Sequence, residues 1–129
     1  MSVRVVRLGS DRLAGEGLRV GTVRRPPRGV AKRDYASENF YDVWLPTLAP
    51  STETVALGRS ASDEPGWKRF ARKYRAEMAQ PDAAHAIALL AALSLHCNFS
   101  VGCYCEHEAH CHRSLLRRLL ADAGAALAG

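Results

Sequence analysis

The chain has 129 residues, a formal net charge of +5 at pH 7 and an apolar fraction of 47%. That length can bury one hydrophobic core without help from disulfides or metal, and it supplies one domain rather than two. Its apolar runs are far too short to cross a bilayer, and arginines interrupt Met1–Arg7 where a signal peptide needs an apolar centre, so a cytoplasmic chain with reduced thiols is expected.

Ser2–Leu8 sets Val3 and Val5 against Arg4 and Arg7, the alternation of a first strand. Three glycines between Gly9 and Gly17 make a loop. Leu18–Arg24 alternates again and reads as a second strand, ended by the Arg24-Arg-Pro-Pro-Arg-Gly29 turn, whose prolines cannot donate to a ladder. Arg19, Arg24, Arg25, Arg28, Lys32 and Arg33 follow one another with no acid before Asp34. Such a stretch favours an anionic partner, and nucleic acid is a less favoured candidate than a small molecule.

Residues 31–50 carry Tyr35, Phe40, Tyr41 and Trp44 without clean periodicity, as expected of an irregular segment that packs over a sheet edge or walls a pocket. Ser51 can cap a short helix with Glu53 in its first turn. Residues 59–64 are polar and expected to be exposed. Asp63 caps a clear helix in which Trp67, Phe70, Ala71, Tyr74 and Met78 form one apolar stripe, while Lys68, Arg69, Arg72, Lys73 and Arg75 face away. Pro81 opens the next helix, with Ile87, Leu90, Ala91 and Leu93 as its apolar face. Phe99–Cys105 reads as a strand and Ser114–Ala123 as a helix with Leu115/Leu116 and Leu119/Leu120 repeating every four residues. The Ala-rich tail to Gly129 is expected to fray. The pattern predicts a single compact three-layer α/β domain, Rossmann-like, with a central and mostly parallel sheet flanked by helices.

The chemistry concentrates in Phe99–Arg113, which holds three of the four cysteines and three of the five histidines. It lies between a strand and a helix, where parallel sheets bind ligands and where a helix start offers free N–H groups. Three readings follow. Cys103, Cys105, Cys111 and His112 are a donor set for zinc, although Cys-x-Cys on a strand is expected to splay its thiols. Cys105 or Cys111 beside Arg113 is a candidate nucleophile with His112 as base; the spacing does not match the Cys-x5-Arg of thiol phosphatases. Alternatively Cys97, Cys103 and Cys105 are small core residues, and the cations alone bind an anion. His85 and His96 read as ordinary helix residues. The favoured function is binding of a phosphate- or carboxylate-bearing small molecule through Arg24, Arg28 and Arg113, with thiol catalysis at Cys105 or Cys111. The alternative is a zinc-stabilised or nucleic-acid-binding module without enzyme activity.

Four separated motifs, Arg19–Lys32, Trp44–Ser51, Trp67–Glu77 and Cys103–Arg113, together resemble the domain of unknown function 488 family, near its YeaO-like branch. The resemblance implies a compact, Rossmann-like α/β domain and no particular activity. Arg24, Pro27, Arg28 and Gly29 match the family's turn. Val23 stands where many members carry an acid and Pro26 where tryptophan is common, so the resemblance does not carry over an acid beside Arg24.

Overall fold

The computed structural model describes residues 1–129. Five strands, β1 (Val3–Arg7), β2 (Leu18–Gly21), β3 (Val43–Trp44), β4 (Phe99–Cys103) and β5 (Leu127–Ala128), form one sheet in the order β3-β2-β4-β1-β5. Every pairing is parallel. Four helices, α1 (Thr52–Ser60), α2 (Glu64–Met78), α3 (Pro81–Leu93) and α4 (His112–Asp122), complete the α/β domain. No helix is long and apolar enough to cross a membrane.

β4 runs between β2 and β1, and all five of its residues are buried, as expected of an internal parallel strand. Alternation divides the sheet. Val3, Val20, Phe99 and Val101 join Phe70, Tyr74 and Met78 of α2, Ile87 and Leu90 of α3, and Leu116 and Leu120 of α4 in the main core. The opposite face carries Arg19, Ser100, Gly21 and Gly102, and irregular chain from the 8–42 region covers it. A side chain at Gly21 would meet the Tyr41 ring at 2.3 Å, so the absence of a Cβ there admits the covering aromatic segment. Arg19 anchors the same cover: it donates to both Glu16 oxygens at 2.9 and 3.0 Å and to the carbonyls of Ser10 and Asn39, each at 2.8 Å. The Ser100 hydroxyl donates to Glu16 as well.

The helix caps follow the sequence. The Ser51 hydroxyl accepts from Thr54 N at the start of α1, and Asp63 accepts from Gly66 N at the start of α2. Several boundaries differ from the sequence reading. β2 stops at Gly21 because, after one further ladder bond from Thr22 N to the Gly102 carbonyl, Val23 turns into a second cluster with Leu8, Tyr41, Cys103 and Cys111. Residues 31–50 contain the edge strand β3, too short to show alternation. On α3, Leu93 is 39% exposed, because Ser94 rather than Leu93 falls on the stripe of Ala83, Ile87, Leu90 and Ala91. The tail does not fray: Leu127–Ala128 pairs with β1, and Val3 N donates to the Ala126 carbonyl at 2.8 Å. α4 begins at His112, two residues before the expected start.

This topology places the site. From β2 the chain leaves toward β3 at one edge; from β4 it leaves through α4, past β1, to β5 at the other. The carboxyl ends of β2 and β4 therefore diverge, and the crevice between them is the switch point at which open parallel sheets bind ligands.

Candidate functional site

Cys103 ends β4, Cys111 is the residue before α4, and His112 is that helix's first residue, so strand and helix bring the three together beneath the crevice. All three are buried, and their sulfurs and a ring nitrogen lie within 4.8 Å of one another, close enough to hold a metal ion. His112 Nε2 lies 2.7 Å from the Thr22 carbonyl, which can only accept. Nε2 therefore carries the ring proton, and Nδ1 is left as a bare lone pair 3.8 Å from the Cys111 sulfur. A backbone carbonyl that fixes the tautomer in this way is the usual support of a metal-ligating histidine.

Cys105 lies beyond the strand, exposed, with its sulfur accepting from the Cys103 thiol at 3.7 Å. The expected splaying does not occur, because β4 ends at Cys103 and the extended rise of about 3.3 Å per residue that would hold the two thiols apart ends with it. Two sulfurs on a tetrahedral zinc, each at about 2.3 Å, stand about 3.8 Å apart, so the Cys103–Cys105 spacing suits a shared ion. The three sulfurs differ in character. Contacts with the Cys105 and Cys111 sulfurs, and then burial, push the Cys103 thiol up, so the proton stays on Cys103. The Cys103 contact holds Cys105 down, aided by the charge of Arg113. Cys111 is lowered by its contact with the Cys103 sulfur. Cys103 is thus the donor, and the Cys105 sulfur is its acceptor.

Above the cluster is a cleft of about 770 Å³. Its lining includes Arg24, Arg25, Arg28 and Arg59, the four site residues Cys103, Cys105, Cys111 and His112, and no aspartate or glutamate. Phe40 and Tyr104 form part of the wall, meeting edge to face at 6.1 Å. The Tyr104 hydroxyl donates to the Arg25 carbonyl, which ties the arginine turn to the wall, and Trp44 Nε1 of β3 donates to the Val23 carbonyl just before the turn.

A family model described as the active DUF488-N3 subclade matches residues 3–124. The chain belongs to the DUF488 family. No curated protein and no solved structure gives a match.

In this DUF488 protein the residues singled out from sequence separate into two groups. Cys103, Cys111 and His112 converge, Cys105 joins them through its contact with Cys103, and Arg28 lines the cleft with its guanidinium free of any protein partner. Arg24 also lines the cleft, but its Nε and Nη2 donate to the carbonyls of Pro46, Ala49 and Pro50 at 3.0–3.1 Å, which fixes the turn to the segment before α1. Arg113 is 3% exposed; its Nη2 donates to the Cys105 carbonyl at 2.6 Å, and its Nε has no partner. Its charge reaches the thiols from behind the loop. Cys97 is exposed rather than a core residue, as is Cys105. His110 lies at the cleft, edge-on to Trp67 at 5.8 Å, and His107 is exposed outside it.

Sequence reasoning missed three contributors. Arg25 stood in the basic run but had nothing to set it apart from Arg24. Arg59 is an exposed residue at the end of α1, brought to the cleft only by tertiary packing. Thr22 acts through its backbone carbonyl, for which no residue type is a signal.

Proposed function

We propose that the cleft binds an anionic small molecule, phosphate- or carboxylate-bearing, and that the cluster on its floor holds a zinc ion. The observation that carries the anion reading is the composition of the lining: four arginines converge on one concavity that contains no carboxylate. Guanidinium groups without protein partners pair with ligand oxygens through charge-assisted, often bidentate hydrogen bonds. The zinc reading rests on the donor set. Cys103, Cys111 and His112 are three ligands, Cys105 supplies the fourth through the third sulfur, and Thr22 holds the imidazole with its lone pair on Nδ1. Zinc held there would keep its thiols deprotonated and tie the end of β4 to the start of α4, and attraction for the anion would come from the arginines.

A second reading is favoured by one specific observation: the Cys105 sulfur is exposed at the cleft and accepts a hydrogen bond from Cys103. Without metal, that sulfur is a candidate nucleophile at the cleft, with Cys103 as its hydrogen-bond donor.

Elemental analysis of the purified protein, combined with alkylation by iodoacetamide before and after a chelator, separates the two. About one zinc per chain, with alkylation slow until the chelator is added, supports the metal centre. No metal and rapid alkylation of Cys105 supports the nucleophile. Slow alkylation under both conditions, together with no binding of phosphate or sulfate, means that the cysteines only fill space and that the proposed site is wrong.

A further inference from the structure

We infer that the ligand of this cleft is a phosphomonoester of a planar apolar ring, rather than an inorganic anion or a simple carboxylate. This rests on the anion reading above and names the chemical class within it. At about 770 Å³ the cleft falls within the roughly 300–1,000 Å³ of sites that enclose organic molecules, far more room than a bare oxyanion needs.

Two chemically distinct surfaces divide that space. Phe40, Tyr104, Val55 and Phe70 supply apolar and aromatic lining, and the Phe40–Tyr104 edge contact together with the Tyr104 hydrogen bond to the Arg25 carbonyl holds the aromatic wall in place. A fixed aromatic wall offers a ring an edge or face at little conformational cost.

The cationic surface specifies the other half of the ligand. Arg25 and Arg28 come from the turn after β2, and Arg59 comes from the end of α1. All three are exposed, and none of their guanidiniums is bonded to the protein, whereas Arg24 beside them is occupied by carbonyls. One carboxylate is saturated by one guanidinium fork. Three free forks on two elements match a group with three peripheral oxygens and nearly two negative charges, which a phosphomonoester carries at pH 7. The same wall that anchors the Arg25 backbone borders the apolar lining, so ring and phosphate are read side by side.

Calorimetric titration of the purified protein with three probes tests this: phenyl phosphate, inorganic phosphate and benzoate. Phenyl phosphate is expected to bind about tenfold more tightly than either of the others. Arg28→Ala, an exposed substitution, should weaken phenyl phosphate and inorganic phosphate alike. Phe40→Leu should weaken phenyl phosphate several-fold more than inorganic phosphate. Equal affinity for phenyl phosphate and inorganic phosphate would overturn the ring while the anion reading stood. Benzoate binding as tightly as phenyl phosphate would overturn the phosphate. If none of the three binds, the anion reading fails along with the inference.

Discussion

Glu16 and Arg19 form an ion pair whose side chains are only 2% and 1% exposed, and they hold the irregular cover to the back of the sheet. Burial alone would raise the Glu16 carboxyl, but hydrogen bonds from Arg19, Ser100 and Leu13 outweigh it and hold the pKa at about 2, from an ordinary 4.5. A carboxyl lowered on folding contributes stability that is complete above its unfolded pKa and is lost as pH falls through the folded one. The protein should therefore lose roughly 3 kcal/mol between about pH 4.5 and pH 2 through this group. Glu16→Gln leaves the Arg19 charge buried without its partner and should cost about 3–5 kcal/mol at neutral pH. Denaturant unfolding across that pH range is the check: the variant should lack this component of the acid slope, and an unchanged slope would mean that other carboxylates carry it. Arg24→Ala removes three bonds to carbonyls that seat the cationic turn. It should cost about 1–3 kcal/mol and weaken anion binding by displacing Arg25 and Arg28, measurable by unfolding and by phosphate titration of the same sample.

Among the elements, α2 was the most legible in the sequence, and the structure shows why. Its Asp63 cap and its stripe of Phe70, Ala71, Tyr74 and Met78 are local signals, and the core buries that stripe. Phe70 lies between Trp67 and Tyr74, with ring centroids at 5.2 and 6.4 Å, and its ring packs where a side chain at Gly58 would stand. Phe70→Ala should cost about 3–5 kcal/mol in denaturant unfolding. A loss below about 1 kcal/mol would mean that the neighbouring rings collapse into the space. β4 was legible for a similar reason, since an unbroken run of small and apolar residues marks a strand buried on both faces. The two-residue strands β3 and β5 were not, because pairing with β2 and β1 creates them and no alternation can appear in two residues. The convergence of Cys103 and Cys105 was hidden for the same kind of reason: it depends on where β4 leaves the ladder, which its neighbours decide. Deleting residues 126–129 tests the tail. The loss of the β5 pairing and of the Val3–Ala126 bond should cost about 1–2 kcal/mol, whereas a frayed tail would cost nothing.

At the scale of the whole molecule, strand order does what no single motif can. Placing β4 between β2 and β1 sets the carboxyl end of β2, with its arginine turn, beside Cys103, and sends α4 back so that Cys111 and His112 meet the same point. The basic run near the N-terminus and the Cys/His cluster near the C-terminus, about eighty residues apart in sequence, become rim and floor of one cleft. The proposed anion would share this cleft with the exposed Cys105 sulfur. The most direct measurement is the rate at which iodoacetamide, a neutral reagent, modifies Cys105 as inorganic phosphate is added at constant ionic strength, with a chelator present so that every thiol is free. The rate should fall along a saturable curve as phosphate occupies the cleft that the sulfur shares with the arginines, and Arg28→Ala should shift that curve to higher phosphate. A rate that stays constant as phosphate rises would contradict the account.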